Sequence, residues 1–149
     1  MTINNSVQEL SIPSPAMRNL DRLVGTWEIS GPSINGQVEY EWMEGCYFLC
    51  QKFDLIHDGR VVKGIEIIGH SREFGSEKPG NDINSHVFDT VGNTLNYVYE
   101  LEDNVLTIWG GAKNSPAYYK GTFSTEGDTV RGEWVWPGGG YQSNMTKLK

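Results

Sequence analysis

Two cysteines, three histidines and six prolines are all that this chain of 149 residues carries of those types. Cys46 and Cys50 lie four positions apart in a segment that reads as a strand. At ~3.3 Å per residue that puts them about 13 Å apart, beyond the ~7 Å reach of a disulfide. No intrachain disulfide and no thiolate metal site follow. His57, His70 and His86 are dispersed, without a metal-ligand spacing, so neither metal nor haem is expected. Positive charge is also scarce. Lys and Arg number 12 against 19 Asp and Glu, a net charge of −7. That balance argues against nucleic acid and against an anionic membrane surface as partners. No apolar run approaches the ~20 residues of a membrane span. The opening MTINNSVQELSIP has neither the basic nor the apolar block of a signal peptide, which makes the cytoplasm the expected location. No nucleophile-elbow, phosphate-loop or dinucleotide motif is present, and Gly138-Gly139-Gly140 reads as a hairpin loop because no helix follows it. No cofactor is implied.

What the chain does have is 18 glycines, five tryptophans and seven tyrosines. Together they suggest short strands, tight turns and large side chains on one face. Residues 1–13 read as a loose arm, and 14–149 as a single domain. Ser14-Pro15 resembles an N-cap followed by proline at the first helical position. Met17, Leu20 and Leu23 then form one apolar stripe that Gly25 ends. Beyond Gly25 the spacing favours strands over 25–30, 37–43, 46–56, 61–70, 84–91, 94–102, 105–110, 117–124, 129–136 and 141–148. Most are separated by two-residue hairpin signals, and all six prolines fall outside them. Consecutive hairpins without intervening helices predict an all-β, ten-stranded antiparallel up-and-down barrel with a short N-terminal helix.

The turn positions predict a register. A loop at Glu44-Gly45 places Trp42 opposite Tyr47, Tyr40 opposite Leu49 and Val38 opposite Gln51. A loop at Asp58-Gly59 places Gln51 opposite Glu66, Leu49 opposite Ile68 and Tyr47 opposite His70. It also sets Lys63 against Asp54 on the outer face, an ion pair that was not an input to the register. Gly92-Asn93 sets Phe88 by Tyr97 and His86 by Tyr99, and Asp103-Asn104 sets Tyr99 by Ile108. Gly127-Asp128 gathers Tyr119, Gly121, Phe123, Gly132, Trp134 and Trp136 on one face, with Lys120, Thr122, Arg131 and Glu133 on the other. Val87, Val98 and Trp109 are then left outside together. They pack under a loop, form an interface such as a homodimer contact, or mark a slip of register.

The inner face so defined is aromatic with a few polar exceptions. A barrel of ten strands is wide enough to leave a cavity, and apolar walls with few convergent polar groups are the usual profile of a small-molecule pocket. The candidate ligand-binding residues are Tyr40, Trp42, Phe88, Tyr97, Tyr99, Tyr119 and Trp134, with Gln51, Glu66 and His86 to orient the ligand. Trp27, Tyr47, Phe53, Phe123, Trp136, Tyr141, His70 and Ser143 share that face. His57, beside a turn, is expected in solvent. Glu66 stands out, because a carboxyl facing into an apolar barrel has a raised pKa. It either holds a ligand or satisfies Gln51 and a tyrosine hydroxyl. Three functions remain open. The first is binding of a small, partly apolar, planar molecule. The second is isomerase-type acid/base chemistry with Glu66 or His86 and a tyrosine proton donor. The third is a filled structural barrel that uses Trp109 as a contact patch.

Leu23-Val24-Gly25-Thr26-Trp27 resembles the Gly-x-Trp opening of the calycins, the superfamily of lipocalins and fatty-acid-binding proteins. The resemblance implies that Trp27 closes one barrel end and stacks on a basic residue of the last strand, here Lys147. The segments Glu39–Gly45, Gly64–Gly69, Ser85–Asp89, Leu106–Gly111 and Trp134–Tyr141 are similar to a bacterial calycin-like family of conserved hypothetical proteins. That likeness implies the barrel and no activity. Haem-binding ten-stranded relatives take their iron ligand from a late histidine, and no histidine follows His86 here.

Overall fold

A computed structural model describes residues 12–149. The arm expected over residues 1–13 therefore lies outside the described residues, apart from Ile12 and Pro13. Ser14 caps helix α1 (Pro15–Asn19), its hydroxyl accepting the Met17 amide at 3.1 Å, and a 3-10 turn (Leu20–Leu23) continues it. The stripe of Met17, Leu20 and Leu23 is buried, as its spacing predicts.

Ten strands follow: β1 (Gly25–Ser30), β2 (Ile34–Trp42), β3 (Leu49–His57), β4 (Arg60–His70), β5 (Ile83–Asp89), β6 (Thr94–Glu102), β7 (Val105–Gly110), β8 (Tyr118–Phe123), β9 (Thr129–Trp136) and β10 (Gly139–Lys147). Each pairs antiparallel with the next, and β1 pairs with β10, so the barrel is closed and no sheet edge is left free.

The predicted register holds where a two-residue turn controls it. Around Asp58-Gly59, Gln51 pairs with Glu66 and Asp54 with Lys63, whose ammonium lies 3.8 Å from the carboxylate. Tyr99 pairs with Ile108 across β6–β7 as expected.

Three turns differ from expectation. Between β2 and β3 the loop runs over 43–48, closed by the Met43 amide donating to the Phe48 carbonyl at 2.9 Å. Gly45 and Cys46 both take positive φ there, so the chain leaves the ladder earlier than a Glu44-Gly45 hairpin requires. Trp42 pairs with Leu49 and Tyr40 with Gln51, two residues along from the expected partners. Tyr47, expected inside, is exposed in this loop and does not oppose His70. The β8–β9 register also moves by two, pairing Tyr119 with Trp134. An even slip keeps every side chain on its face.

The third slip is odd and has a functional consequence. Asp89 Oδ1 accepts the amides of Val91 and Asn93 at 3.0 and 2.8 Å, and Oδ2 accepts the Asn93 side chain at 2.8 Å. This carboxylate-held turn centres on Val91 rather than on Gly92-Asn93, so Val87 pairs with Leu95 and Phe88 with Thr94. Every β5 side chain changes face. Val87 points inward and is buried, while His86 and Phe88 face outward and are exposed. Val98 and Trp109 stay on the outer face as expected. Val98 is buried there between Asn84 and Trp109, and Lys113 lies over the Trp109 ring at 5.9 Å.

The helix closes the barrel end where β2, β4, β6, β8 and β10 finish. Asn19 donates to the Leu101 carbonyl at 3.2 Å, and the Arg22 guanidinium lies 4.5 Å from the Phe123 ring centre. Trp27 Nε1 donates to the Leu23 carbonyl at 2.8 Å, and the Lys147 ammonium stands 5.5 Å from the Trp27 ring, the pair that the calycin resemblance implies. His70 Nδ1 faces the carbonyls of Gly80 and Asp82 at 2.9 and 3.0 Å, so the proton belongs on that nitrogen. Its Nε2 then accepts from the Ser14 hydroxyl at 2.8 Å, tying helix, strand end and the 71–82 segment together.

Candidate functional site

The barrel is filled at its helix end and open at the other. Trp27, Leu20, Leu23, Leu49, Ile68 and Val130 pack the closed half without exposure. Above them lies a cavity of about 210 Å³. That exceeds the roughly 150 Å³ of an apolar cavity known to accept benzene. A barrel filled throughout is thereby corrected to one that is half filled, and the remaining space can hold a ligand.

Two close approaches create the space. Tyr119 lies flat over Gly121 and Gly132, where a Cβ at either position would strike its hydroxyl, and that hydroxyl donates to the Ser143 carbonyl at 3.0 Å. Phe53 similarly lies over Gly64. Rings that would otherwise cross the lumen are folded against its wall. Trp134 spans the aromatic side, 5.7 Å from Tyr97 and 5.4 Å from Tyr119 between ring centres.

Two polar pairs interrupt the apolar wall. Gln51 Nε2 donates to the Tyr40 hydroxyl at 2.6 Å, and the Tyr99 hydroxyl donates to Glu66 Oε1 at 2.8 Å. Glu66 Oε2 and Gln51 Oε1 have no protein partner among the described residues. Neither is sealed off like the Ser85 hydroxyl, so both reach the cavity. Ser85 is fully buried on the inner face. Its hydroxyl lies near enough to Glu66 to favour the carboxylate, yet it makes no well-formed hydrogen bond.

Burial pushes the Glu66 carboxyl up to about 7, against weaker opposing contributions from Ser85 and Tyr99. Burial likewise raises Tyr97 and Tyr99, reinforced by the charge of Glu66, and lifts Tyr40 and Tyr119 well above the ordinary phenol range. These hydroxyls remain protonated donors near neutral pH, whereas Glu66 is divided between its two forms.

Of the sequence-derived candidates, Tyr40, Gln51, Glu66, Tyr97 and Tyr99 meet around the cavity, joined by Tyr119 and Trp134. Trp42 faces inward but sits at the closed end, where its Nε1 donates to Asp21 Oδ1 at 2.8 Å; it does not line the cavity. His86 and Phe88 are corrected to the outer surface by the odd register slip. There His86 Nδ1 bonds Asn96 Oδ1 at 2.8 Å.

The rim residues were only partly legible. His57, expected in solvent, stacks on Tyr141 with ring centres 4.2 Å apart, and Trp136 packs against the same tyrosine while remaining exposed. Asp89 also lines the opening. A sequence signal for these groups exists: in an up-and-down barrel the β3–β4, β5–β6 and β9–β10 turns lie at the same end, with β1–β2 and β7–β8, opposite the helix.

Among the described residues, no group of three or more His, Cys, Asp or Glu side chains could hold a metal ion, and no helix is long and apolar enough to cross a membrane. No family model matches the chain, and no curated protein shows significant similarity to it in sequence.

Proposed function

We propose that this chain is a calycin-like container that binds a small, partly apolar aromatic molecule of one or two rings inside the barrel. One observation carries the reading: a cavity of about 210 Å³ whose walls are mainly apolar and onto which Glu66 and Gln51 direct unpartnered oxygens. Apolar walls supply contact area, and two fixed polar groups set orientation.

Calorimetry with indole tests it. We expect measurable heat with unmodified protein and its loss in Val87→Phe, which fills the lumen at a β5 position facing Glu66. Overpacking costs about 1–3 kcal/mol, so circular dichroism and a melt establish that the variant is folded. His86→Ala, on the outer face, leaves the heat unchanged. Absence of binding across one- and two-ring compounds, or indole binding indifferent to Val87→Phe, overturns the container.

The value of about 7 at Glu66 favours one second reading, proton-transfer catalysis in the same cavity, with Glu66 as acid/base and Tyr99 as donor. His86 drops out of that role because it faces away. Turnover abolished by Glu66→Gln supports catalysis; ligands that raise the melting temperature without turnover support the container alone.

A further inference from the structure

The geometry points to an organic cation, a small aromatic amine protonated at neutral pH, as the class of molecule this cavity takes. This rests on the container reading and adds the charge of its occupant.

The first observation is the sign of the lining. Among the described residues, Glu66 and Asp89 are the only Asp, Glu, Lys, Arg or His side chains that line the cavity. Arg22 and Lys147 lie over the buried rings of Phe123 and Trp27 at the closed end, and neither lines the cavity. At the rim, the His57 Nε2 stands 3.5 Å from an Asp58 carboxylate oxygen. A ligand carboxylate entering here would be desolvated beside Glu66 with no cation to receive it, which is costly.

The second observation is the aromatic wall. Tyr97, Tyr119 and Trp134 form a contiguous ring cluster, and such π-faces attract cations, more strongly in a desolvated site. The third is the state of the Glu66 carboxyl. Oε1 accepts from Tyr99, whereas Oε2 makes no well-formed hydrogen bond among the described residues; the Ser85 hydroxyl stands near the carboxyl without closing one. An ammonium against Oε2 supplies the missing donor and the missing positive charge together. Its aromatic portion then lies against Trp134.

Protonation follows from the same contact. The groups facing Glu66 are Tyr40 from β2, Gln51 from β3, Ser85 from β5 and the tyrosines of β6, none of them cationic. An arriving ammonium is thus the one positive charge in the site and draws Glu66 into its carboxylate form. Amine affinity therefore falls as pH is lowered from 8 to 5.5.

Three molecules of matched size test this: 2-phenylethylamine, 2-phenylethanol and phenylacetate, titrated calorimetrically at pH 8 with indole as the neutral control. We expect the amine to bind at least about tenfold more tightly than the alcohol, with phenylacetate weakest. Glu66→Gln should bring amine and alcohol within about threefold, with circular dichroism and a thermal melt establishing that the variant barrel is folded. Equal affinities, a preference for phenylacetate, or an amine preference that survives Glu66→Gln overturns the cation assignment. In those cases persisting indole binding leaves the container reading standing, and loss of indole binding to unmodified protein removes both.

Discussion

Glu66→Gln makes the protein more stable above pH 7 and flattens its stability between pH 4.5 and 7. The unfolded carboxyl titrates near 4.5 and the folded one near 7, because burial penalises the charge. Between those values the native state holds the proton more tightly than the unfolded chain, so the contribution of this group to stability is greatest below 4.5. It falls as pH rises and levels off once the folded group has ionised. The span corresponds to about 3 kcal/mol at ~1.4 kcal/mol per pH unit. Glutamine has a similar shape, keeps an acceptor for the Tyr99 hydroxyl and has no charge to desolvate. Urea denaturation of both proteins at pH 4.5, 6 and 8 measures the effect. Parallel pH profiles for the two would show that the carboxyl is solvated and the lumen wet. The destabilising carboxylate in the unmodified protein is also the group that the proposed amine would neutralise, so a site chemistry and a stability cost coincide at one residue.

Trp27→Ala costs about 3–5 kcal/mol, the range for removing a fully buried large aromatic. Three losses combine. A cavity opens within the buried cluster that also holds Leu20, Leu23 and Val130, the Leu23 carbonyl loses its donor, and the edge-on contact with Phe123 at 6.3 Å between ring centres disappears. For a chain of this length the midpoint should fall by roughly 10 °C. Lys147→Ala, which removes only the exposed ammonium over the same ring, costs about 1 kcal/mol or less. A loss below about 1 kcal/mol for Trp27→Ala would mean that the helix does not seal the barrel end, and thermal denaturation distinguishes the cases.

Much of this molecule was legible in the sequence because period-two patterning and two-residue turns constrain each other. Asp58 and Gly59 both adopt positive φ, the conformation that a tight hairpin needs, and their register placed Gln51 beside Glu66 correctly. Even slips at the β2–β3 and β8–β9 turns were harmless to the inner-face assignments within the ladders. The β5–β6 turn was not legible from its dipeptide, because the Asp89 side chain, rather than Gly92-Asn93, sets its centre. One odd slip there exchanged His86 and Phe88 for Val87. The cavity itself was hidden for a different reason. Whether ten strands enclose space depends on where rings lie, and Tyr119 lies along the wall only because Gly121 and Gly132 have no Cβ to obstruct it. Composition shows many glycines and aromatics without showing which of them meet.

The most direct measurement is nuclear magnetic resonance with methyl-labelled protein and 2-phenylethylamine, reading contacts between ligand ring protons and protein methyl groups. Binding inside the barrel gives contacts to Val87 and Ile108 on the inner face and none to the exposed outer-face Val61 and Ile65. Contacts confined to Val61 and Ile65, or inner methyl groups unmoved at saturating ligand, would contradict an interior site.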